Sequence, residues 1–203
     1  MIRIGFSGHR PNKLGGYNWD APLNQRIRKN VEVQVVDIIN QNPKETKFVF
    51  EFGGALGFDQ FCFDVVFKIK ELYAHTNPEI EITLELAIPF FNQYKVWTNL
   101  EDVQRYLLQK KIADIVTYVD KLGDYKVKGA TAGKYKFEKM QKRNEYIDNN
   151  VDILIAMWDG SDGGTKNCID YAKEIGLNII RMYVPTKNGN QRVNRHFNLF
   201  KGE

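Results

Sequence analysis

Lys47-Phe48-Val49-Phe50-Glu51-Phe52 runs directly into Gly53-Gly54-Ala55-Leu56-Gly57-Phe58-Asp59-Gln60, and the order of these residues decides the fold. A short apolar, aromatic run reads as a strand, the glycines as a tight turn, and the residues from Phe58 to Tyr73 as a helix. That helix is apolar almost all round, so it is expected to be covered on more than one face. Outward in both directions the same alternation recurs. Strands are predicted at Ile2–Phe6, Ile82–Ile88, Asp114–Val119, Val151–Trp158 and Asn178–Val184, with helices over Pro22–Ile39, Asn92–Lys111 and Lys166–Ile175 between them. Strands alternating with helices call for crossover connections, hence an α/β three-layer sandwich around a mostly parallel sheet of about six strands.

One segment breaks the alternation. Between Lys121 and Arg143 eight cations (Lys121, Lys126, Lys128, Lys134, Lys136, Lys139, Lys142 and Arg143) face only Asp124 and Glu138, which reads as a mobile basic loop leading into a helix near Arg143-Asn144. From Pro185 onward, with Asn188-Gly189-Asn190, periodicity stops. A single domain over residues 1–184 is therefore expected, followed by a tail, 185–203, that is poorly ordered or an arm onto a partner.

At 203 residues with 43% hydrophobic content, the chain can bury a sizeable core, which excludes a disordered or collagen-like protein. Net charge is +4, a bias that suits polyanionic ligands without demanding nucleic acid. Two cysteines, Cys62 and Cys168, lie inside predicted helices and argue against a disulfide framework or thiolate metal site. His9, His75 and His196 form no metal-binding spacing, so no resident metal is expected. No run approaches the ~20 apolar residues of a membrane span, and a cytoplasmic protein without membrane attachment is predicted.

In a parallel sheet ligands bind beyond the carboxyl ends of the strands. Those positions hold Ser7-Gly8-His9-Arg10-Pro11, the Gly53–Gln60 turn, Pro89-Phe90-Phe91-Asn92-Gln93, and Asp159-Gly160-Ser161-Asp162-Gly163-Gly164-Thr165-Lys166-Asn167. Glycines let the backbone approach a phosphate, and the helix that follows supplies free N–H groups. Gly8, Gly53, Gly54, Gly160, Gly163 and Gly164 are thus candidate ligand-binding positions, with Ser161 in the same turn, Thr165 adding a hydroxyl and Asn167 an amide. Arg10 can pair a phosphate bidentately, and Arg143-Asn144 can close over it from the basic segment. Asp59 and Gln60 open the second helix, where capping and ligand contact are equally open. Phe90, after Pro89, and Trp97 are candidates for stacking on a base. His9 is expected to make a turn hydrogen bond rather than to act as a base.

Gly5-Phe6-Ser7-Gly8-His9-Arg10-Pro11, the Gly53–Gln60 turn, Ile88-Pro89-Phe90 with Gln93 and Trp97, Arg143-Asn144, and Ala156–Ser161 with Gly163-Gly164-Thr165 and Asn167 together resemble the YpsA-like branch of the SLOG superfamily. The resemblance runs in order from Met1 to about Val184 and implies a Rossmann-like sheet binding a small nucleotide or nucleotide-derived ligand, ADP-ribose-like, NAD-like or cyclic, as a sensor or sponge. Relatives by resemblance include the cytokinin-activating LOG phosphoribohydrolases, but their turn glutamate corresponds here to Cys168. The turn is also similar to that of nucleoside deoxyribosyltransferases, which makes Asp159, Asp162 and Asp59 candidate catalytic carboxylates for N-glycosidic chemistry. A third alternative, single-stranded DNA binding as in DprA, is weakened by Leu56, where DprA-like sequences carry arginine. Mg²⁺ is a candidate companion of the ligand, although no spacing compels it. A homo-oligomer is expected from the apolar girth of the Phe58–Tyr73 helix.

Overall fold

The computed structural model describes residues 1–185. Its strands are β1 (Ile2–Gly8), β2 (Lys47–Phe52), β3 (Glu81–Ile88), β4 (Ile115–Tyr118), β5 (Ile153–Met157) and β6 (Asn178–Met182). The helices are α1 (Pro22–Gln41), α2 (Phe58–Thr76), α3 (Leu100–Ile112), α4 (Phe137–Asn150) and α5 (Gly164–Glu174). The tail expected over 185–203, and His196 within it, lies outside the described residues apart from Pro185.

All six strands are parallel, in the order β4-β3-β2-β1-β5-β6. This is the α/β Rossmann-like fold expected from the alternation. From β1 the chain steps outward to β4, then returns to the other side of β1 with β5, so the direction of winding reverses between β1 and β5. At such a reversal the loops leaving two adjacent strands diverge and open a crevice at their carboxyl ends.

The α2 face of the sheet holds the aromatic core. Phe6 of β1 stacks on Phe52 of β2 at 5.0 Å and 4°, and Phe58 and Phe63 of α2 meet these rings edge-on. Helix α2 packs against α1, α3 and strands β1 to β3. Its apolar girth is therefore covered from within the chain and does not call for a second copy.

Two boundaries differ from expectation. The helix predicted over Asn92–Lys111 is split: a 3-10 turn spans Gln93–Val96, and α3 begins only after Asn99, whose side chain accepts from the N–H groups of Glu101 and Asp102 at 2.8 and 3.3 Å. Trp97 lies in this break and, half-buried, packs edge-on against Tyr106 of the core at 5.1 Å. Helix α4 starts at Phe137, six residues before the expected start at Arg143. Its inward positions Lys139 and Arg143, one turn apart, are cations, so the buried face showed no apolar stripe.

Across the other face of the sheet runs a buried ion network that periodicity did not reveal. Glu51 and Glu85 are register partners on β2 and β3, both almost fully buried. Arg3 donates to both, reaching Glu85 at 2.8 Å, and also to the Asn150 carbonyl at 2.7 Å. Thr117 and Tyr146 donate to Glu85 at 2.8 and 3.0 Å. One guanidinium thus faces two carboxylates, and burial followed by the charge of Glu85 pushes the Glu51 carboxyl up to about 7 despite Arg3. The folded state then holds a proton that the unfolded chain releases above about 4.5. Stability carried by this group is present at low pH and falls as pH rises through about 7. Glu51→Gln, which mimics the protonated acid, is expected to gain melting temperature on the wild type between pH 5 and pH 8. Parallel curves in differential scanning calorimetry would contradict this.

Candidate functional site

A cleft of about 330 Å³ opens at the β1/β5 reversal. The loop after β1 supplies Gly8, His9, Arg10 and Lys13, the β2–α2 turn Ala55 and Asp59, the loop after β5 and the start of α5 Ser161 to Thr165, and α4 Arg143 and Asn144. Eleven of the sequence-predicted residues, drawn from three strand-to-helix segments and helix α4, therefore line one concavity: Gly8, His9, Arg10, Asp59, Arg143, Asn144, Ser161, Asp162, Gly163, Gly164 and Thr165.

At the floor, Arg143 is 6% exposed and anchors the β2 turn. Its Nη1 stands 3.4 Å from Asp59 Oδ2, and its Nε donates to Asn144 Oδ1 at 3.1 Å. The same Asp59 oxygen accepts from the Ala55 N–H at 3.2 Å, so this carboxylate closes the turn. Burial raises the Asp59 carboxyl, and the two guanidinium groups of Arg143 and Arg10 work against that rise. A Cβ on Gly53 would lie 1.3 Å from Arg143 Nη1, so only glycine leaves room for the guanidinium beside this turn.

Arg10 stands differently. It is exposed and lines the cleft, its carbonyl accepts the Lys13 N–H at 3.0 Å, and among the described residues its guanidinium makes no hydrogen bond or close ion pair. The surrounding protein lowers its guanidinium from the ordinary value, offset by Asp59, without removing the charge. The amino terminus of α5 lines the same cleft. Gly163 precedes it with φ 139°, and no side chain caps the first turn. Its first N–H groups are free of intrahelical partners and carry the positive end of the helix dipole.

The two loops are tied together. His9, 5% exposed, accepts the Asp159 N–H on Nε2 at 3.0 Å, a hydrogen bond between two loops instead of one within its own turn. Burial pulls its imidazole below the usual range, against the pull of Asp159. On protonation the same nitrogen can instead donate to Asp159 Oδ1, 2.9 Å away. Asp159 Oδ1 accepts from the Ser161 N–H at 2.9 Å and its hydroxyl at 2.5 Å, which brings the carboxyl down to about 2. Lys13 donates to the Ser161 hydroxyl and closes the bridge.

These commitments sort the three candidate catalytic carboxylates. Asp59 is bound to Arg143 and Ala55, and Asp159 orders its own turn outside the cleft lining; Asp162 is exposed along the lining. Cys168 is turned inward and lies 3.4 Å from Asp148, whose carboxyl burial pushes up to about 7.

Several predicted residues stay outside the lining. Gly53 and Gly54 present their carbonyls to Gln93 Nε2, both at 3.4 Å. Gln60 is fully buried, its carbonyl accepting from Gln109. Pro89 and Phe90 are buried, with Phe90 1% exposed, so the ring has no free face for a base. Gly160 and Asn167 are exposed beside the cleft. Conversely, sequence reasoning passed over Lys13, Asn12, Tyr135, Phe137 and Met140, all of which line the cleft. Lys13 was within reach, two residues past the quoted β1 turn; Tyr135 and Phe137 sat in a segment read for its lysines alone.

Among the described residues no group of three or more His, Cys, Asp or Glu side chains is placed to hold a metal ion, and no helix is long and apolar enough to cross a membrane.

Comparison with known proteins agrees with this architecture. Residues 4–176 match the YpsA family, described as the YspA SLOG family. The chain is 39% identical over 134 residues to an uncharacterized SPbeta prophage-derived protein, YoqJ, of Bacillus subtilis, a match covering 66% of this chain and 74% of that protein. It is 23% identical over 170 residues to a UPF0398 protein of Halalkalibacterium halodurans, covering 82% and 77% respectively. Among solved structures it is similar to DNA processing protein A (DprA) from Streptococcus pneumoniae, with a TM-score of 0.55 and 16% identity, a likeness of fold. That match covers 89% of this chain and half of the other.

Proposed function

Because the chain belongs to the YspA SLOG family over most of its length, we propose that the β1/β5 cleft binds a phosphorylated nucleotide or nucleotide-derived ligand, in the manner of a sensor or a sponge. The observation that carries this reading is Arg10: a guanidinium with no hydrogen bond or close ion pair among the described residues, in one concavity with the uncapped start of α5. A guanidinium and a row of free N–H groups converging from two loops suit a phosphate, which offers both charge and several acceptor oxygens. Lys13 adds a third positive group, and Asp59 is neutralised by Arg143.

Arg10→Ala is the discriminating variant, since the Arg10 guanidinium makes no hydrogen bond among the described residues that its loss would break, and Arg143 still pairs Asp59. A hydrogen bond to a charged group is worth roughly 1.5–3 kcal/mol, or about 10- to 150-fold in affinity. Isothermal titration with nucleoside monophosphates, ADP-ribose, NAD and cyclic nucleotides is expected to show at least a tenfold loss for Arg10→Ala at unchanged melting temperature. Equal affinity in the variant would refute the site. Binding of short single-stranded oligonucleotides with a steep salt dependence would move the reading toward nucleic acid.

Turnover is a second reading that the geometry narrows to one residue. Asp162 alone among the three carboxylates lies free along the cleft wall. N-glycosidic cleavage through it would release free base from the bound nucleotide, and Asp162→Asn would stop that release. Chromatography that recovers the nucleotide unchanged would leave the protein a binder.

A further inference from the structure

The cleft has a second wall of opposite character, built by the segment that reads from sequence as a loose basic loop. Tyr135 and Phe137 line it with their rings 57% and 56% exposed, and Met140 follows one turn along α4. Tyr135 is seated edge-on over the buried Phe90 at 6.2 Å and 77°, which leaves its ring accessible from the cleft side. The segment is anchored: short 3-10 turns form at Val119–Lys121 and Gly123–Tyr125, and Lys139 of α4 reaches back under it. Lys139 is only 3% exposed; its Nζ donates to Asp120 Oδ2 at 3.0 Å and to the Thr131 carbonyl at 2.9 Å, 5.6 Å from the centre of the Phe90 ring. A buried ammonium is costly unless paired, and these partners are the start and the middle of the segment whose end carries Tyr135.

A cleft lined both by cations with free N–H groups and by solvent-exposed aromatic rings is complementary to a molecule with an anionic end and a flat apolar end. Its volume of about 330 Å³ lies at the lower end of the range for small-molecule sites, which suits one nucleotide unit. We infer that the ligand is a mononucleotide unit whose base stacks on the Tyr135–Phe137 wall, with Lys139 as the positioning residue that holds this wall in the same cleft as Arg10. The inference rests on the phosphate-binding reading above and adds the recognition of the base.

The test compares the four common ribonucleoside 5′-monophosphates with ribose 5-phosphate, which keeps the phosphate and lacks the base. The wild type is expected to bind at least one nucleotide ten or more times tighter than ribose 5-phosphate, since base–aromatic stacking is worth roughly 1–3 kcal/mol. In Tyr135→Ala/Phe137→Ala, whose side chains are exposed, nucleotide affinity should fall to within about threefold of ribose 5-phosphate, whose own affinity stays unchanged. Lys139→Met should show the same selective loss with both rings present, an outcome that general damage to the site would not give. Equal binding of nucleotide and ribose 5-phosphate by the wild type, an unaltered ratio in the double variant, or binding confined to dinucleotides such as NAD overturns this inference alone. Failure of every one of these phosphates to bind overturns the phosphate site and this inference together.

Discussion

Replacing Arg143 by methionine is expected to destabilise the protein by about 3–5 kcal/mol, because it leaves Asp59 buried beside the β2 turn without its nearest counter-charge. Methionine keeps much of the volume, so the loss is electrostatic rather than a cavity. Two further results separate this cause from general damage. Asp59→Asn in the Arg143→Met background should recover most of the stability, since it removes the stranded carboxylate. The deficit of the single variant should also shrink at acid pH. Without Arg143 the carboxyl of Asp59, already raised by burial, rises further; the folded state then binds a proton before the unfolded chain does and gains stability as pH falls. Denaturant unfolding of the three proteins at neutral and acid pH tests both results. A double variant no more stable than Arg143→Met would show that Arg143 acts by packing.

A comparably large effect is expected at Gly57, where the β2 turn is pressed against the loop after β1. Its φ of 91° is disfavoured for any side chain, and a Cβ there would lie 2.6 Å from the His9 carbonyl oxygen and 3.0 Å from the Pro11 nitrogen. Both neighbours are backbone, which cannot swing aside, and the same His9 carbonyl accepts the Phe58 N–H at 3.1 Å. Gly57→Ala therefore must separate the two loops that carry Arg10 and Asp59. A loss of about 3 kcal/mol or more is expected, the sum of left-handed strain and backbone displacement, with impaired ligand binding. Gly16→Ala supplies the comparison: φ is 78° but nothing lies within 4 Å of the added carbon, so only the conformational cost of about 1 kcal/mol should appear. Equal destabilisation of the two variants in urea would show that contact with the β1 loop carries no weight.

The contrast between what was and was not legible in the sequence has physical causes. Strand alternation and the glycine turns were readable because a parallel sheet writes short apolar runs separated by helices, and because close backbone approach at strand ends selects glycine. Arg10, Asp59 and the Gly163–Thr165 turn were identified on that basis, and the structure brings them into one cleft. Position in the chain could not distinguish a residue in the cleft from one supporting it: Gly53, Gly54 and Phe90 follow strands as Arg10 does, yet two are held by Gln93 and the third is buried beneath Tyr135. The Arg3–Glu51–Glu85 network was hidden because charged residues inside apolar runs do not disturb a strand's reading. The aromatic wall was hidden for the opposite reason. Tyr135 and Phe137 lie where the sequence shows no periodicity, and their place is fixed by the buried Phe90 beneath Tyr135 and by Lys139, a charge on the buried face of α4.

The central claim is that phosphate is held between Arg10 and the start of α5. A crystal structure of the protein with the tightest-binding nucleotide measures it directly. The expected result is a phosphate oxygen within about 3.2 Å of the Arg10 guanidinium and of at least one N–H between Gly163 and Lys166, with the base toward Tyr135 and Phe137. A nucleotide bound elsewhere on the protein, with Arg10 unengaged, would contradict the account.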